Sequence, residues 1–257
     1  MLGAMENKIQ QGFSRAAKSY DLHTGLHRAI ADKVFLQVVK GPAPSALLDV
    51  GCGTGYLTAR LKDHFLQSKV IGLDLSPGMI EAARSKHRNI EWVLADGHDL
   101  PFSDGSLDSV VSNLAYQWSG DLSRAFSEAR RVLRPNGSLV CTLFGYKTCG
   151  ELFRSLDEAK RGALQFDRLP DELKVRQALA TSGFNGPIID SELIELEFAD
   201  MYELIGWIKS IGANNLSRSG YLGPETISRA AFIYQNKFPY LQGVAATFEV
   251  IRIYAKR

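Results

Sequence analysis

The sequence predicts an α/β protein with a mostly parallel, seven-stranded sheet and helices on both of its faces. Residues 46–50 form an apolar run long enough for a buried parallel strand. Glycines occupy positions 51, 53 and 55, and apolar residues at helical spacing follow them. Short apolar runs then alternate with helical patterns as far as residue 143, which indicates a doubly wound sheet.

The composition is that of an ordinary globular protein. The chain has 257 residues, of which 45% are hydrophobic and 23% charged, so one domain over residues 1–257 is expected. No apolar run of about 18 residues and no basic-then-apolar leader are present, which predicts a cytoplasmic protein with no membrane partner. The net charge of +2 is too small to indicate a nucleic-acid partner. The three cysteines are too scattered for a disulfide framework or a metal site.

Residues 1–42 are predicted to form an N-terminal helical segment. Apolar side chains recur at helical spacing through residues 1–40, and Gly41-Pro42-Ala43-Pro44 ends the pattern. Two interpretations of residues 13–21 remain open at this point. They either pack on the core as an ordinary helix, or cap a ligand site with Tyr20 and His23 at its mouth.

The glycine turn after the first strand indicates a nucleotide-like ligand. Glycines expose backbone N–H groups and the start of a helix to a ligand, with no Cβ in the way. The spacing Gly51-x-Gly53-x-Gly55 differs from the G-x-G-x-x-G pattern of dinucleotide-binding proteins. Asp49, two residues earlier, suits a cationic ligand better than a pyrophosphate.

An acid follows each of the next two predicted strands. Asp74 ends the strand at 70–73, where a ribose diol is bound in nucleotide-binding βαβ units; its alternative role is to cap the helix that starts at Ser76-Pro77. Asp96 follows the strand at 90–94 and is placed to accept the exocyclic amine of adenine. The nearby His98 is interpreted as a surface histidine.

The rest of the chain completes the sheet and adds helices to it. The strand at 108–113 runs into a loop at the carboxyl ends of the strands, where ligands bind in such sheets. Further segments are predicted as helices at 121–133, 150–162, 169–182, 201–211 and 224–236, and as strands at 138–143, 188–198 and 244–254. The last two strands suit an antiparallel hairpin at the sheet edge. Residues 200–240, inserted between them, form either a lid containing Trp207, Lys209 and Asn214, or plain packing helices.

These motifs, in this order, resemble class I S-adenosyl-L-methionine (SAM) dependent methyltransferases over residues 45–145. The segments that carry the resemblance are Asp49-x-Gly51-x-Gly53-x-Gly55, Asp74, Asp96 with Leu100-Pro101-Phe102, residues 108–113, and Leu133-Arg134-Pro135-Asn136-Gly137. The resemblance implies a Rossmann-like fold, SAM as cofactor, and a substrate-side half at residues 146–257. It implies cofactor binding by Asp49, Gly51, Gly53, Gly55, Asp74, Leu75, Met79, Asp96, Gly97 and Asn113.

Three segments outside that core resemble the malonyl-acyl-carrier-protein O-methyltransferases of biotin synthesis. They are Phe13-Ser14-Arg15-Ala16-Ala17-x-x-Tyr20, Ser112-Asn113-Leu114-Ala115-x-Gln117-Trp118, and residues 204–213. Trp207 and Asn214-Asn215 depart from the commonest form of that family. The resemblance implies methylation of the free carboxylate of a malonyl thioester, with acyl carrier protein as partner.

That reaction is consistent with the lack of an obvious catalytic dyad. A carboxylate with a pKa of about 4 is already ionised at neutral pH, so no general base is required. The protein has to align the reacting atoms and exclude water, for which Tyr20, Gln117 and Trp118 are the candidate catalytic residues. Cationic side chains on the predicted lid are candidates for docking an acidic carrier protein or are ordinary surface charges; they are Lys209, Arg218 and Arg229.

Other functions share the same core motifs. A methyltransferase of another small acceptor and a SAM-binding regulatory protein both remain open. The segment Ser112-Asn113-Leu114-Ala115 lacks the Asn-Pro-Pro-Tyr type of sequence found in amino-group methyltransferases. A dinucleotide-dependent oxidoreductase is disfavoured by the glycine spacing.

Overall fold

The predicted doubly wound sheet is present in the computed structural model, which describes residues 4–162, 169–213 and 222–257, without the side chains of residues 4–7 and 185. Its strands run in the order β3-β2-β1-β4-β5-β8-β6, and the first five are parallel. The strands are β1 (Ala46–Val50), β2 (Lys69–Asp74), β3 (Glu91–Leu94), β4 (Leu107–Asn113), β5 (Leu133–Phe144), β6 (Asn185–Phe198), β7 (Pro239–Tyr240) and β8 (Gly243–Lys256).

The late strands form the expected antiparallel hairpin, with one correction to the strand count. β8 pairs with both β5 and β6 in antiparallel fashion, so β6 is the edge strand. The predicted count of seven omits β7, which pairs with the start of β8 and brings the sheet to eight strands in the described ranges. β7 has two residues, too few for an alternating pattern to indicate a strand.

Helices cover both faces of the sheet. They are α1 (Ala4–Ala16), α2 (Gly25–Val39), α3 (Tyr56–His64), α4 (Pro77–Lys86), α5 (Leu122–Val132), α6 (Gly150–Ala159), α7 (Glu172–Thr181), α8 (Met201–Ser210) and α9 (Pro224–Lys237). The predicted helical run at 1–40 is broken, because the backbone leaves α1 at Ala16 and makes a 3₁₀ turn at Tyr20–Leu22. In that turn the Asp21 carboxylate accepts hydrogen bonds from the side chains of Thr54 and Lys86. Both bonds connect the turn to other parts of the chain, whereas the hydrogen bonds of a continuous helix stay within the helix.

Separate apolar clusters hold the layers together. α5 and α7 bury Phe126 and Leu179 on one face of the sheet, and α2 and α3 bury Val34 and Leu61 on the other. A further cluster joins α6, α8 and α9 to the first half of β8. This packing holds the parallel strands in place. The polar side chains discussed below lie at the carboxyl ends of these strands and in the loops that follow them. Within the described ranges, no helix is long and apolar enough to cross a membrane.

Candidate functional site

A cleft lies at the carboxyl ends of the parallel strands. Its empty volume is about 930 Å³, the open mouth included, which is within the usual range for small-molecule sites. Most of the residues predicted from the sequence line it: Tyr20, Gly51, Gly53, Asp74, Leu75, Met79, Asp96, Gly97, Asn113 and Trp118. Helix α1 adds Ile9, Gln10 and Phe13 to the wall. Segments far apart in sequence are therefore brought to one place.

Three predicted residues lie outside this lining. Asp49 is beneath the glycine turn and lines a smaller second cavity beside the cleft. Gly55 packs against Trp92, whose Cη2 would be 2.5 Å from an added Cβ. The Gln117 side chain is buried, and its Oε1 accepts the Phe144 N–H at 3.4 Å. Gly55 and Gln117 therefore contact residues behind the cleft and do not line it.

The glycine turn is held open toward the cleft by backbone bonds to β2. The N–H groups of Gly51 and Cys52 both donate to the Leu73 carbonyl oxygen, at 2.7 and 2.9 Å. Gly51 has a φ of 72°, and an added Cβ would be 2.2 Å from the Ala115 Cβ. Only glycine permits both this conformation and this approach.

Asp74 connects the turn to the start of α4. Its Oδ2 accepts the Gly53 N–H at 2.9 Å and its Oδ1 accepts the Ser76 N–H at 2.8 Å. Burial raises the pKa of the Asp74 carboxyl despite these hydrogen bonds. The bond to Ser76 is the helix-capping contact considered from the sequence. The same carboxyl lines the cleft, so it can also face a ligand.

Asp49 is a buried acid with an unusual titration. Burial raises its pKa to about 7, although a hydrogen bond from Thr58 Oγ1 at 2.6 Å opposes the shift. The nearby Asp74 carboxylate adds to the increase. A buried carboxyl of this kind ionises most readily when a cation is placed next to it.

Helix α1 covers the cleft by docking on α4. Gln10 Nε2 donates to the Leu75 carbonyl oxygen at 2.8 Å, and the hydroxyls of Ser14 and Ser76 are 2.7 Å apart. Gly78 allows the close approach, because an added Cβ would be 2.6 Å from the Ser14 carbonyl oxygen. Of the segment 13–21, Phe13 and Tyr20 line the cleft and His23 is not among its lining residues. That this segment caps a ligand stays a prediction.

Aromatic rings complete the wall. The Phe13 ring lies 6.4 Å from Tyr20 and 5.7 Å from Trp118, centroid to centroid. Tyr20 Cε1 lies over the glycine turn, 3.9 Å from the place of a Cβ on Gly53. Burial, with the charges of Asp74 and Asp21, raises the pKa of the Tyr20 hydroxyl, which stays protonated at neutral pH. These rings make one side of the cleft apolar.

Helix α8 packs against the N-terminal segment. Trp207 Nε1 donates to the His23 carbonyl oxygen at 2.9 Å, and the Trp207 ring lies 5.9 Å from the His27 ring. An added Cβ on Gly212 would be 3.0 Å from the Phe13 backbone. None of the described residues of the insert lines the cleft itself. Asn214 and Arg218, which the sequence placed in the lid or its docking face, lie outside the described residues.

Sequence reasoning missed two residues at the second cavity. His27 and Arg28 line it, and His27 Nδ1 and Arg28 Nε have no hydrogen-bond partner among the described residues. Burial lowers the pKa of His27 to about 4, so its ring is neutral at neutral pH. Both residues lie in α2, whose sequence pattern does not distinguish the face that lines the cavity. The turn at Tyr20–Leu22, which the sequence pattern did not predict, orients this face toward the site.

The structure also corrects the interpretation of His98. Its side chain is 15% exposed, and it lines the cleft beside Asp96. Asp96 Oδ1 accepts from both the backbone N–H and the ring Nδ1 of His98, each at 2.8 Å. His98 is therefore a hydrogen-bonded neighbour of Asp96 in the cleft, and the prediction that it is a surface histidine was wrong.

The site can hold an elongated ligand with several polar groups. Asp49 and Asp74 lie near the carboxyl ends of β1 and β2, and Asp96 follows β3. Asp74 and Asp96 line the cleft, and Asp49 lines the second cavity beside it. Within the described part of the chain, no group of three or more histidine, cysteine or acidic residues is arranged to hold a metal ion. Three carboxyl groups in this arrangement can pair with a cation, a diol and an amine of an organic ligand.

Comparisons with known proteins agree with this description. Residues 48–141 match the family described as Methyltransferase domain. The malonyl-[acyl-carrier protein] O-methyltransferase of Hahella chejuensis is 34% identical, over 96% of this chain and 90% of that protein. The protein of the same name from Methylovorus sp. is 35% identical, over 95% of this chain and 86% of that one. The crystal structure of YcgJ from Bacillus subtilis shares the fold, with a TM-score of 0.64 at 16% identity over 88% of this chain and 98% of that one.

The fold, the glycine turn and the row of carboxylates define a class I methyltransferase whose cofactor is SAM. The enzyme is an O-methyltransferase. More narrowly, the chain belongs to the family of malonyl-[acyl-carrier protein] O-methyltransferases. The resemblance found in the sequence is confirmed.

Proposed function

We propose that this enzyme transfers the methyl group of SAM to the free carboxylate of a malonyl group carried on acyl carrier protein, the first step in building the pimeloyl chain of biotin. The observation that carries the proposal is the likeness to named relatives over nearly the whole chain, including the cap and the insert. The cleft supplies the matching chemistry.

The cofactor is proposed to lie along the carboxyl ends of β1, β2 and β3. Asp74 would bind the ribose diol, and Asp96 would accept the adenine amine. The glycine turn and Asn113 would surround the methionine end, with Asp49 beneath it. Two observations support the fit. One is the open space above Gly53 in the cleft, where the atom found within 4 Å of an added Cβ is Tyr20 Cε1, at 3.9 Å. The other is the raised pKa of Asp49, which a bound cation would lower.

The acceptor is proposed to approach from the aromatic side, beneath the cap. Tyr20 and Trp118 line this side and shield it from solvent together with Phe13. Gln117 acts indirectly, because its buried amide holds the end of β5 through Phe144. The proposed roles are therefore positioning by Tyr20 and Trp118, with Gln117 maintaining the wall behind them.

The chemistry needs little from the protein beyond alignment and a dry site. When bound, SAM supplies an electrophilic methyl group on a sulfonium. The acceptor carboxylate is already ionised, so no residue of the chain has to remove a proton. Tyr20 stays protonated, so its hydroxyl can donate a hydrogen bond that orients an acceptor oxygen. Excluding water strengthens the nucleophile and protects the alignment.

The carrier protein is proposed to dock on the insert. Lys209 on α8 and Arg229 on α9 are both exposed, and an acidic partner would be attracted to them. Helix α8 contacts the cap through the hydrogen bond from Trp207 to the His23 carbonyl oxygen. A carrier protein bound to α8 would therefore lie next to the cap. In this proposal residues 1–42 are the cap, 45–145 the cofactor core, and about 200–240 a lid inserted in the half at 146–257.

A panel of acceptors tests the function. Labelled methyl transfer from SAM should occur with malonyl-acyl carrier protein, and not with acetyl-acyl carrier protein or free malonate. Malonyl-coenzyme A distinguishes recognition of the malonyl group from recognition of the carrier. If SAM raises the melting temperature but no malonyl thioester accepts the label, the cofactor assignment stands and the acceptor is wrong.

A further inference from the structure

The loop after β3 carries a histidine that the proposed chemistry does not use. His98 lines the cleft and bridges two loops. Its Nδ1 is 2.8 Å from Asp96 Oδ1, and its Nε2 is 2.6 Å from Ser119 Oγ, in the loop after β4. Both ring nitrogens are therefore engaged, one by an acid of the cofactor site.

The partners fix where the protons lie on a neutral ring. A carboxylate only accepts hydrogen bonds, so Nδ1 carries the proton and donates to Asp96. Nε2 then accepts from the Ser119 hydroxyl, whose oxygen in turn accepts the Asp121 N–H at 3.2 Å. The result is a chain of hydrogen bonds that runs in one direction from the start of α5 to Asp96.

The backbone of His98 is held as firmly as its ring. Its N–H donates to Asp96 Oδ1 at 2.8 Å, and its carbonyl oxygen accepts from Arg124 Nε on α5 at 3.1 Å. The hydrogen bonds found for the Asp96 carboxyl among the described residues both end on Oδ1. Oδ2 is thus the oxygen left to face a ligand, and its direction is set by His98.

We propose that His98 is a positioning residue that sets the preference of the cofactor site for a 6-amino purine. This inference rests on the proposed function, in which Asp96 accepts the adenine amine. A carboxylate held in one orientation favours an N–H donor and repels a 6-oxo purine, whose oxygen is also an acceptor. Without the imidazole, one backbone bond remains, and the carboxyl can turn and be hydrated.

The test compares two ligands that differ only at that position of the base. Binding of S-adenosylhomocysteine and S-inosylhomocysteine is measured by calorimetry for the wild type and for three variants. His98→Ala removes both ring contacts, whereas His98→Asn keeps an N–H donor near the place of Nδ1. His64→Ala is the matched control, since His64 is an exposed histidine outside the cleft.

The wild type and His64→Ala should prefer the adenosyl ligand. His98→Ala should reduce that preference about tenfold, chiefly by weakening the adenosyl ligand, because a charge-assisted hydrogen bond is lost. His98→Asn should restore most of it. A ratio of affinities does not depend on the fraction of folded protein, so a general loss of structure does not imitate the result.

Three results would overturn the inference. One is an equal weakening of both ligands in His98→Ala, which would show a purely structural role. Another is an unchanged preference in that variant. The third is a wild type that binds the adenosyl ligand without preferring it, which would leave the cofactor assignment intact but remove Asp96 from base recognition. A wild type that binds neither ligand would contradict the proposed function itself.

Discussion

At the scale of single residues, we expect Asp49 to couple ligand binding to the release of a proton. Its pKa of about 7 in the ligand-free protein lies above that of an unfolded aspartate, so the folded form binds more protons between these values. The free energy of unfolding should therefore fall as pH rises from about 4 to about 7. A cationic ligand next to Asp49 reverses the shift, because it favours the ionised carboxylate.

Affinity for SAM should rise as pH increases from about 5.5 to about 7.5, with release of close to one proton at about pH 6. Calorimetry in buffers of different ionisation enthalpy measures both quantities. Asp49→Asn should lower the affinity and flatten the pH dependence. Equal pH slopes in the wild type and the variant would show that Asp49 does not titrate with binding.

Tyr20 is expected to act through its ring more than its hydroxyl. The ring covers the glycine turn and contacts Phe13. Tyr20→Phe should keep kcat within about tenfold of the wild type, whereas Tyr20→Ala should lose about a hundredfold as water enters the site. Steady-state rates with melting temperatures as a folding control test this. An unchanged kcat in Tyr20→Ala would show that the Tyr20 ring is not needed for catalysis.

At the scale of elements, the docking of α1 on α4 depends on one glycine. An added Cβ at Gly78 would be 2.6 Å from the Ser14 carbonyl oxygen and 2.9 Å from its Cα. Backbone atoms cannot turn aside as a side chain can, so α1 would have to move. In an open helix, by contrast, replacing glycine with alanine stabilises by about 1 kcal/mol.

Gly78→Ala should therefore weaken SAM binding and turnover several-fold, although alanine favours the helix. Gly206→Ala is the matched control, because nothing lies within 4 Å of a Cβ at that exposed position in α8. It should raise the melting temperature and leave SAM binding unchanged. Identical SAM affinities in the two variants would mean that the position of the cap is irrelevant to the cofactor.

Elements with strong local patterns could be predicted from the sequence, and contacts between them could not. The acids Asp74 and Asp96 were found because each follows an apolar strand, and parallel strands bring their carboxyl ends together. His27 was missed as a site residue because its orientation depends on the turn at residue 20. His98 was missed because its position depends on a hydrogen bond to Ser119, which is distant in sequence. β7 was missed because two residues carry no periodicity.

At the scale of the whole molecule, the inserted helices and the N-terminal segment form one assembly over the sheet. Trp207 connects α8 to the start of α2 through the His23 carbonyl oxygen, and Gly212 lies against Phe13. Because of these contacts, we expect the N-terminal segment and the insert to move together in the carrier docking that we propose. The long hairpin of β6 and β8 anchors the insert to the sheet at both of its ends.

The proposed esterification of the free carboxylate of a malonyl thioester can be tested through the position of the transferred methyl group. Malonyl-acyl carrier protein is methylated with labelled SAM, and the product is analysed by mass spectrometry before and after mild base. We expect one added methyl group on the malonyl unit, which base releases as methanol. A label that base does not release, or one found on the carrier protein instead of the malonyl unit, would contradict it.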